Sequence, residues 1–257
     1  MIRVEHRDGG IVWVTIDRPQ ARNAMTFAMW ERLRGAALEL DADDTVRVVV
    51  FTGAGDEAFV AGTDIAEFRA FTGADDGVAY EKRIDATLAA LDAIRVPTIA
   101  AIAGACTGGG VSIASTCDLR LGASNARIGI PIARTLGNIV SLRNVARVGD
   151  LIGLDAAKAL LITGRLLGAD DARRAGFLTE IVEDAAALRL RAQEQAEQIA
   201  GLAPLTLRAS KEIARRIRAS RALPDGEDLI RLCYGSDDFR EGLTAFLDKR
   251  RANWTGA

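Results

Sequence analysis

The sequence predicts an α/β protein with a mainly parallel β-sheet, and three observations support this class. Apolar runs of strand length alternate with helical patterns along most of the chain, as in proteins whose parallel strands are connected by helices. The stretch Val96–Cys117 carries no charge and joins an apolar run, a glycine triplet and an apolar helical pattern. From about Ala185 onward the pattern is helical only, so we divide the chain into a core, 1–184, and a C-terminal helical region, 185–257.

The first predicted elements follow from alternation and spacing. Residues 11–16 alternate around Trp13, which indicates a strand. Thr26 is suited to cap a helix whose apolar residues recur at helical spacing. The predictions in order are strand Ile11–Ile16, helix Phe27–Leu40, strand Val46–Thr52, a strand, turn and helix start around Gly62, helix Tyr80–Ile94 and strand Val96–Ile102.

The second half of the chain adds short strands and then longer helices. Short apolar runs bounded by glycine and polar residues indicate the strands, and charged segments with apolar stripes indicate amphipathic helices. The predictions are strands Leu119–Leu121, Arg127–Ile130 and Glu180–Val182, and helices Val140–Val148, Asp155–Leu161, Ala169–Ala175, Ala185–Ala200, Pro204–Ser220 and Gly226–Arg251.

Composition excludes several classes of function. The net charge of -2 provides no basic surface for nucleic acid. His6 is the only histidine, so no Ser–His–Asp triad, Cys–His pair or multi-histidine metal site forms within one chain, and we expect no metal. Three scattered cysteines fit a reducing cytoplasm better than a disulfide framework. Val96–Cys117 is long enough to cross a membrane, but Pro97 and the glycines within it favour a buried strand and helix.

The glycine triplet Gly108–Gly110 points most directly to chemistry. Glycines have no Cβ, so another group approaches their backbone closely. The first N–H groups of the helix that follows have no partner inside the helix. Such groups suit a phosphate or a developing oxyanion. The alternative is a tight turn that only packs against a neighbouring segment.

Five segments, in order, resemble the crotonase superfamily, also called the enoyl-CoA hydratase/isomerase family, over essentially the whole chain. They are RPQARNAM, VRVVVFTGAGDEAFVAGTDIAEF, VPTIAAIAGACTGGGVSIASTCDLRLGASNARIGIP, LLITGRLLGADDARRAGFLTEIV and FLDKRRANW. The resemblance implies a crotonase-like spiral of repeated ββα units with a C-terminal helical trimerisation region. It also implies a homotrimer or homohexamer that binds an acyl-CoA thioester, with no cofactor beyond the coenzyme A of that substrate.

By resemblance, the backbone amides of Thr63 and Gly109 form an oxyanion hole for the thioester oxygen. The segment from Ala61 through Asp64 to Ile65 is expected to contact the adenine of coenzyme A, and Arg22 and Lys249 are expected to contact its phosphates. Asp64 and Asp118 also suit a capping or bracing role in their turns. For Arg22 and Lys249 the alternative is a solvated surface position.

The sequence departs from the hydratase pattern at both catalytic glutamates. Ser112 and Ile132 occupy the corresponding positions, and a one-residue insertion before Gly137 would move the second position to Ala133. None of these side chains carries a carboxylate. The two carboxylates of a hydratase position water and transfer its proton. A serine hydroxyl alone has too high a pKa to replace them.

Other side chains are therefore candidates for the acid–base role. Glu67 lies on the helix after Thr63, and Glu81 and Asp85 lie on the helix before Val96; for each, the alternative is a solvated helix face. Arg134 and Asn138 belong to the loop that normally carries a catalytic residue. They are candidates for binding a polar acyl group or a carboxylate, with simple loop packing as the alternative.

Two classes of function remain open at this point. One is an enzyme, hydratase, isomerase or another member of the family, that acts on an acyl-CoA through an enolate. The other is a crotonase-like protein that binds acyl-CoA without catalysis. The two expected oxyanion turns favour the first class, and the two missing glutamates favour the second class or a changed reaction.

Overall fold

The computed structural model describes residues 1–256, which form two β-sheets surrounded by helices. The strands are β1 Ile2–Arg7, β2 Ile11–Ile16, β3 Val48–Gly53, β4 Ala58–Val60, β5 Thr98–Ile102, β6 Ala105–Thr107, β7 Leu119–Ala123, β8 Arg127–Gly129, β9 Leu167–Gly168 and β10 Glu180–Val182. The larger sheet has the order β1-β2-β3-β5-β7-β10 and is parallel except for the β1–β2 pair. The smaller sheet has the order β4-β6-β8-β9 and is parallel except for the β8–β9 pair.

Helices follow pairs of strands in a repeated pattern. They are α1 Phe27–Ala42, α2 Ala74–Ala93, α3 Gly109–Thr116, α4 Ile132–Thr135, α5 Leu142–Ile152, α6 Leu154–Thr163, α7 Ala169–Arg174, α8 Ala185–Ala200, α9 Pro204–Ala219, α10 Glu227–Tyr234 and α11 Asp237–Leu247. In the units β3-β4-α2, β5-β6-α3 and β7-β8-α4, the first strand joins the larger sheet and the second joins the smaller sheet. The predicted α/β class with repeated ββα units is therefore confirmed.

The inner strands β2, β3, β5 and β7 of the larger sheet are buried on both faces, which explains their continuous apolar runs. Val12, Val14 and Ile16 of β2 face the main core between the two sheets, whereas Ile11 and Trp13 face the opposite side. Helix α8 covers that opposite side with Ala185, Leu188, Ala192, Ala196 and Ile199. The first helix of the C-terminal region thus packs on the core of its own chain. The division of the chain into two regions at residue 185 stays a prediction.

The predicted start of α2 was too late. The predicted helix began at Tyr80, but α2 begins at Ala74 within a segment rich in glycine and aspartate. The side chain of Asp76 accepts the N–H of Thr72 at 2.7 Å and that of Gly73 at 3.2 Å. This aspartate therefore caps the helix from inside its first turn, where a carboxylate is favoured by the helix dipole.

The last predicted helix, Gly226–Arg251, is two helices. Helix α10 ends at Tyr234, and the hydroxyl of Ser236 accepts the N–H of Phe239 at 3.0 Å to begin α11. A serine at this position satisfies one of the free N–H groups of a new helix. The apolar spacing continues across the break, and periodicity alone therefore did not reveal it.

The uncharged stretch Val96–Cys117 is buried as two strands and a helix. Strand β5 lies in the larger sheet and β6 in the smaller one, so the chain changes sheets before it reaches the glycine triplet. Within residues 1–256, no helix is both long enough and apolar enough to cross a membrane.

Candidate active site

Two glycine turns touch each other at the ends of β4 and β6. Gly62 follows β4 with φ 109°, and Gly108 follows β6 with φ 52°, a region of backbone conformation that favours glycine. A Cβ added to Gly108 would lie 3.8 Å from the Cα of Gly62, and one added to Gly110 would lie 2.1 Å from the carbonyl oxygen of Val60. The predicted strand, glycine turn and helix are confirmed at both places, and the contact between Gly110 and the Val60 carbonyl leaves no room for a side chain.

Each turn presents a backbone N–H that has no acceptor among residues 1–256. Met25 pairs with this segment on one side, because its N–H donates to the Gly62 carbonyl and its own carbonyl accepts the N–H of Asp64, each at 2.8 Å. This pairing directs the N–H of Thr63, which lies between them, to the opposite side. Gly109 is the first residue of α3, and its N–H cannot bond within that helix.

Trp30 of α1 connects the two residues that carry these amides. Its indole Nε1 donates to Thr63 Oγ1 at 3.0 Å. A Cβ on Gly109 would lie 2.7 Å from Trp30 Cζ2, so the same ring packs directly on the Gly109 backbone. Trp30 is almost fully buried, and its position therefore fixes Thr63 and Gly109 relative to each other.

The hydroxyl of Tyr80 lies 2.7 Å from Thr63 Oγ1, the same oxygen that accepts the indole N–H of Trp30. The Tyr80 ring belongs to a cluster of six aromatic side chains. Burial raises the pKa of the Tyr80 hydroxyl well above its usual value, so the phenol is neutral at physiological pH. The cluster comprises Phe27, Phe68, Phe71, Tyr80, Tyr234 and Phe239.

The three candidate carboxylates bind protein groups outside the Thr63–Gly109 turns. Glu67 Oε2 accepts the N–H of Phe27 at 2.9 Å and thereby caps α1. Glu81 is buried, and its Oε2 accepts the N–H of Ser141 at 2.9 Å while its Oε1 accepts the Tyr234 hydroxyl at 2.9 Å. Asp85 Oδ1 accepts the hydroxyl of the same serine, Ser141, at 2.7 Å. The described contacts therefore make these carboxylates anchors between helices.

Burial raises the pKa of Glu81 to about 8, although its hydrogen bonds to Tyr234 and Ser141 oppose the shift. Burial likewise raises the pKa of Asp85, whose hydrogen bond to Ser141 opposes it. Between the ordinary glutamate pKa of 4.5 and the raised value, the folded protein holds a proton that the unfolded chain has lost. The free energy of unfolding therefore falls as the pH rises through this window.

We expect Glu81→Gln to remove this part of the pH dependence. The amide keeps an oxygen for the Ser141 N–H and, like the protonated acid, places a donor toward Tyr234, whose hydroxyl oxygen then accepts instead of donating. From pH 5.5 to 7.5, the free energy of unfolding of the wild type is expected to fall by about 3 kcal/mol relative to that of the variant, since one bound proton changes it by about 1.4 kcal/mol per pH unit. Urea unfolding of both proteins at the two pH values measures the difference, and equal losses would contradict the assignment.

The other two candidates for acyl-group binding lie in different surroundings. Asn138 Nδ2 donates to the Tyr234 hydroxyl at 3.0 Å, while its buried Oδ1 has no partner among residues 1–256. Arg134, on α4, is exposed, and its Cβ would lie 3.3 Å from a Cβ on Gly164. Asn138 therefore joins the Tyr234–Glu81 contacts, whereas Arg134 lies on the outer surface beside the end of α6.

The two positions that would carry glutamate in a hydratase lack acid–base contacts. Ser112 is buried in α3, and its hydroxyl lies 3.5 Å from the Gly108 carbonyl oxygen one turn earlier. Ile132 begins α4 and packs against the main core, and Ala133 next to it is exposed. The candidate site therefore contains two amides and the Thr63–Tyr80 hydroxyl pair, with no carboxylate at position 112 or 132.

The residues expected to contact coenzyme A lie on three segments. The Arg22 carbonyl accepts the N–H of Ala61 at 3.1 Å, and the Ala61 carbonyl accepts the hydroxyl of Thr107 at 3.0 Å, so this segment is tied to the turn after β6. Lys249 follows α11. The side chains of Arg22 and Lys249 are exposed and have no carboxylate within 4.0 Å among residues 1–256.

Asp64 and Ile65 have structural contacts in the same segment. Asp64 forms an ion pair with Arg18 at 2.7 Å and accepts the N–H of Ala66 at 3.0 Å, which confirms its expected capping role. Ile65 begins the 3₁₀ helix Ile65–Ala70 and packs partly buried against the main core. Both side chains thus have structural partners, and the backbone N–H and carbonyl of Asp64 are also bonded, to Met25 and Glu67.

Sequence reasoning missed the roles of Trp30 and Tyr80. Trp30 was one of several apolar residues at helical spacing, and Tyr80 was only the first residue of a predicted helix. An aromatic side chain with a polar atom usually finds a partner when it is buried. That rule signals that each needs a hydrogen bond, but it does not identify Thr63 as the shared partner.

Comparison with known proteins identifies the family of this chain. Residues 6–257 match the family model described as enoyl-CoA hydratase/isomerase. The chain is 32% identical to the short-chain-enoyl-CoA hydratase of Clostridium acetobutylicum, covering 95% of this chain and 94% of that protein. It is 34% identical to the crotonyl-CoA hydratase of Syntrophomonas wolfei, covering 93% and 92%. An enoyl-CoA hydratase/carnithine racemase structure from Magnetospirillum magneticum superimposes with a TM-score of 0.81 at 34% identity, covering 100% of this chain and 96% of that one. The chain belongs to the enoyl-CoA hydratase/isomerase family.

Proposed function

We propose that this protein is an enzyme that processes an acyl-CoA thioester by stabilising its enolate between the amides of Thr63 and Gly109. The observation that supports the proposal most strongly is the pair of free N–H groups on two touching turns. Two donors aimed at the thioester oxygen stabilise the negative charge that develops there. Each such donor typically contributes roughly 3–4 kcal/mol to the transition state.

We also propose that the reaction is not a standard hydration. Ser112 and Ile132 offer no carboxylate, and Glu67, Glu81 and Asp85 are bonded to Phe27 and Ser141. Addition of water needs a group that removes its proton. The family includes isomerases as well as hydratases by name, so membership itself does not require hydration.

We assign coenzyme A binding to the segment 61–65, at the Gly62 turn, and to the side chains of Arg22 and Lys249. The exposed guanidinium of Arg22 and the ammonium of Lys249 are available to the phosphates, because neither forms an ion pair among residues 1–256. The backbone of 61–65 would face the adenine. The three cysteines are all free, which fits the expected cytoplasmic location.

A non-catalytic acyl-CoA-binding protein is the second candidate, favoured by the absence of carboxylates at positions 112 and 132. Two free amides favour the enzyme, since binding alone needs no stabilised oxyanion. The test is a panel of crotonyl-, butyryl-, 3-hydroxybutyryl- and malonyl-CoA assayed for conversion by mass spectrometry and for binding by calorimetry. Conversion of at least one thioester supports the enzyme, and binding without conversion supports the second candidate. If the protein neither converts nor binds any of these thioesters, both candidates are refuted.

We further propose a homotrimer or a dimer of trimers. Helix α9 has no buried residue, and its Leu205 is 76% exposed. Helices α9, α10 and α11 each carry exposed apolar side chains, and exposed apolar surface of this kind marks interaction surfaces. They are Leu205, Ile213, Ile217, Leu229, Leu232 and Phe246.

Light scattering at micromolar concentration is expected to give three or six times the chain mass of 27.4 kDa. The double change Ile213→Glu and Ile217→Glu places two charges on α9 and is expected to weaken assembly, since buried unpaired charges are costly. The control is the double change Arg216→Gln and Arg221→Gln, which also alters two side chains in this part of the chain but leaves the apolar side chains in place. A stable wild-type monomer would contradict the proposal.

A further inference from the structure

A chain of hydrogen bonds joins Trp30, Thr63 and Tyr80, and one hydroxyl proton in it has no acceptor in the described part of the protein. The indole N–H of Trp30 can only donate, so Thr63 Oγ1 is the acceptor of that 3.0 Å contact. In the 2.7 Å contact between Thr63 Oγ1 and the Tyr80 hydroxyl, either oxygen is able to donate. The contact uses one of the two hydroxyl protons. The other proton has no acceptor among residues 1–256, whichever direction the bond takes.

This spare proton lies beside the proposed oxyanion hole. The Thr63 hydroxyl and the Thr63 amide belong to one residue and are separated only by its Cα and Cβ. Trp30 holds the hydroxyl from one side and packs against Gly109 on the other. A thioester whose oxygen lies between the two amides would therefore place its reacting carbons next to the Thr63–Tyr80 hydroxyl pair.

An enolate needs a proton at its α-carbon before a product can leave. The carboxylates on neighbouring helices bind Phe27, Ser141 and Tyr234 instead of Thr63. The hydroxyl of Ser112 is directed along its own helix toward Gly108. We propose that the Thr63–Tyr80 hydroxyl pair is the proton donor to the enolate, an inference that rests on the enolate chemistry proposed above.

The transfer balances without a further reactant except water. The Thr63 O–H bond breaks as a Cα–H bond forms, and the electron pair of the enolate oxygen restores the thioester carbonyl. Thr63 oxygen takes the Tyr80 proton in the same event, which leaves Tyr80 as a phenolate. Water returns a proton to that phenolate after the product leaves, and the hydroxide formed is released to solvent. The α-carbon of an enolate is a stronger base than a phenolate, so the transfer runs toward the thioester.

The aromatic cluster makes Tyr80 a suitable reserve of this proton. Its ring lies 5.0 Å from Phe68 and 5.7 Å from Phe27 between ring centroids. These rings hold the phenol in one orientation. The high pKa that burial causes keeps the hydroxyl protonated until a strong base, the enolate carbon, is next to Thr63. Thr63 is the catalytic group in this scheme, and Tyr80 acts through it.

Two single-atom deletions within the same aromatic cluster test the inference. Tyr80→Phe removes the hydroxyl that contacts Thr63, whereas the control Tyr234→Phe removes the hydroxyl that contacts Glu81 and Asn138. Thr63→Val removes Oγ1 but keeps the backbone N–H, and Thr63→Ser restores a hydroxyl. All variants are assayed with the panel thioester that the wild type converts fastest, in H₂O and in D₂O, with deuterium at Cα measured by mass spectrometry.

We expect Tyr80→Phe to lower kcat at least about a hundredfold with little change in KM, as for loss of a general acid. Thr63→Val is expected to show a similar loss and Thr63→Ser to recover most of it. The double variant Tyr80→Phe/Thr63→Val is expected to be no slower than the worse single variant, because both remove one proton path. Tyr234→Phe is expected to stay within about threefold of the wild type.

The outcomes separate this inference from the proposed function. If the wild type converts a thioester but Tyr80→Phe keeps its kcat, the hydroxyl pair is not the donor, and the oxyanion proposal stands. Equal losses in Tyr80→Phe and Tyr234→Phe would show that the cluster matters only for packing, and would also overturn the donor. If the wild type converts none of the panel thioesters, the enzymatic proposal fails and the proton donor fails with it.

Discussion

Crotonyl-CoA is expected to be hydrated at least about a thousandfold more slowly by this protein than by a standard hydratase. A positioned general acid or base typically contributes 10²–10⁴-fold, and neither Ser112 nor Ile132 supplies one. The hydroxyl pair of Thr63 and Tyr80 offers a proton but no group that removes a proton from water at neutral pH, because burial raises the pKa of Tyr80 further. The oxyanion amides alone would leave a residual rate.

The short-chain-enoyl-CoA hydratase of Clostridium acetobutylicum, 32% identical to this chain, is a suitable reference enzyme in the same assay. Loss of the crotonyl-CoA absorbance is followed with equal concentrations of both proteins, and binding of crotonyl-CoA is measured separately by calorimetry. Slow turnover together with measurable binding is the expected combination. Turnover within about tenfold of the reference would mean that another carboxylate performs the acid–base chemistry.

The fold was largely predictable because its strands and turns are encoded locally. Buried strands of the larger sheet appear as continuous apolar runs, and the two close turns appear as glycines between a strand and a helix start. Gly62 and Gly108–Gly110 could thus be located from the sequence alone. The start of α2 and the break between α10 and α11 were missed because they depend on capping by Asp76 and Ser236, which compete with periodicity over a few residues.

The acid–base side of the candidate site was less predictable, for a physical reason. Glu67, Glu81 and Asp85 were selected as carboxylates on suitable helices, but a sequence does not show which N–H or hydroxyl each will meet. Trp30, Thr63 and Tyr80 come from three segments that approach only in the folded chain. Their chain of hydrogen bonds therefore has no signature in periodicity or spacing.

Gly109→Val is expected to lower kcat/KM for the converted thioester at least about a hundredfold, which is typical for loss of one oxyanion donor. From the sequence, the new side chain would be expected to enter the space of the thioester. The structure shows a different obstacle, because a Cβ at this position meets Trp30 Cζ2 at 2.7 Å and Cη2 at 3.1 Å. Trp30 is 2% exposed and has little room to move. Its displacement would also break the Nε1 bond to Thr63, so one substitution disturbs both amides.

Gly109→Ala and Gly35→Val separate this effect from a general loss of packing. Alanine introduces the same Cβ without branches, so we expect a smaller loss of kcat/KM in the same direction. Gly35 lies in α1, where a Cβ has ordinary contacts of 3.6 Å and longer, and valine there is expected to leave turnover and assembly nearly unchanged. Thermal unfolding and light scattering check that each variant is folded. If Gly109→Val is folded and converts the thioester as well as the wild type, the glycine triplet is only a packing turn, and the oxyanion hole lies elsewhere.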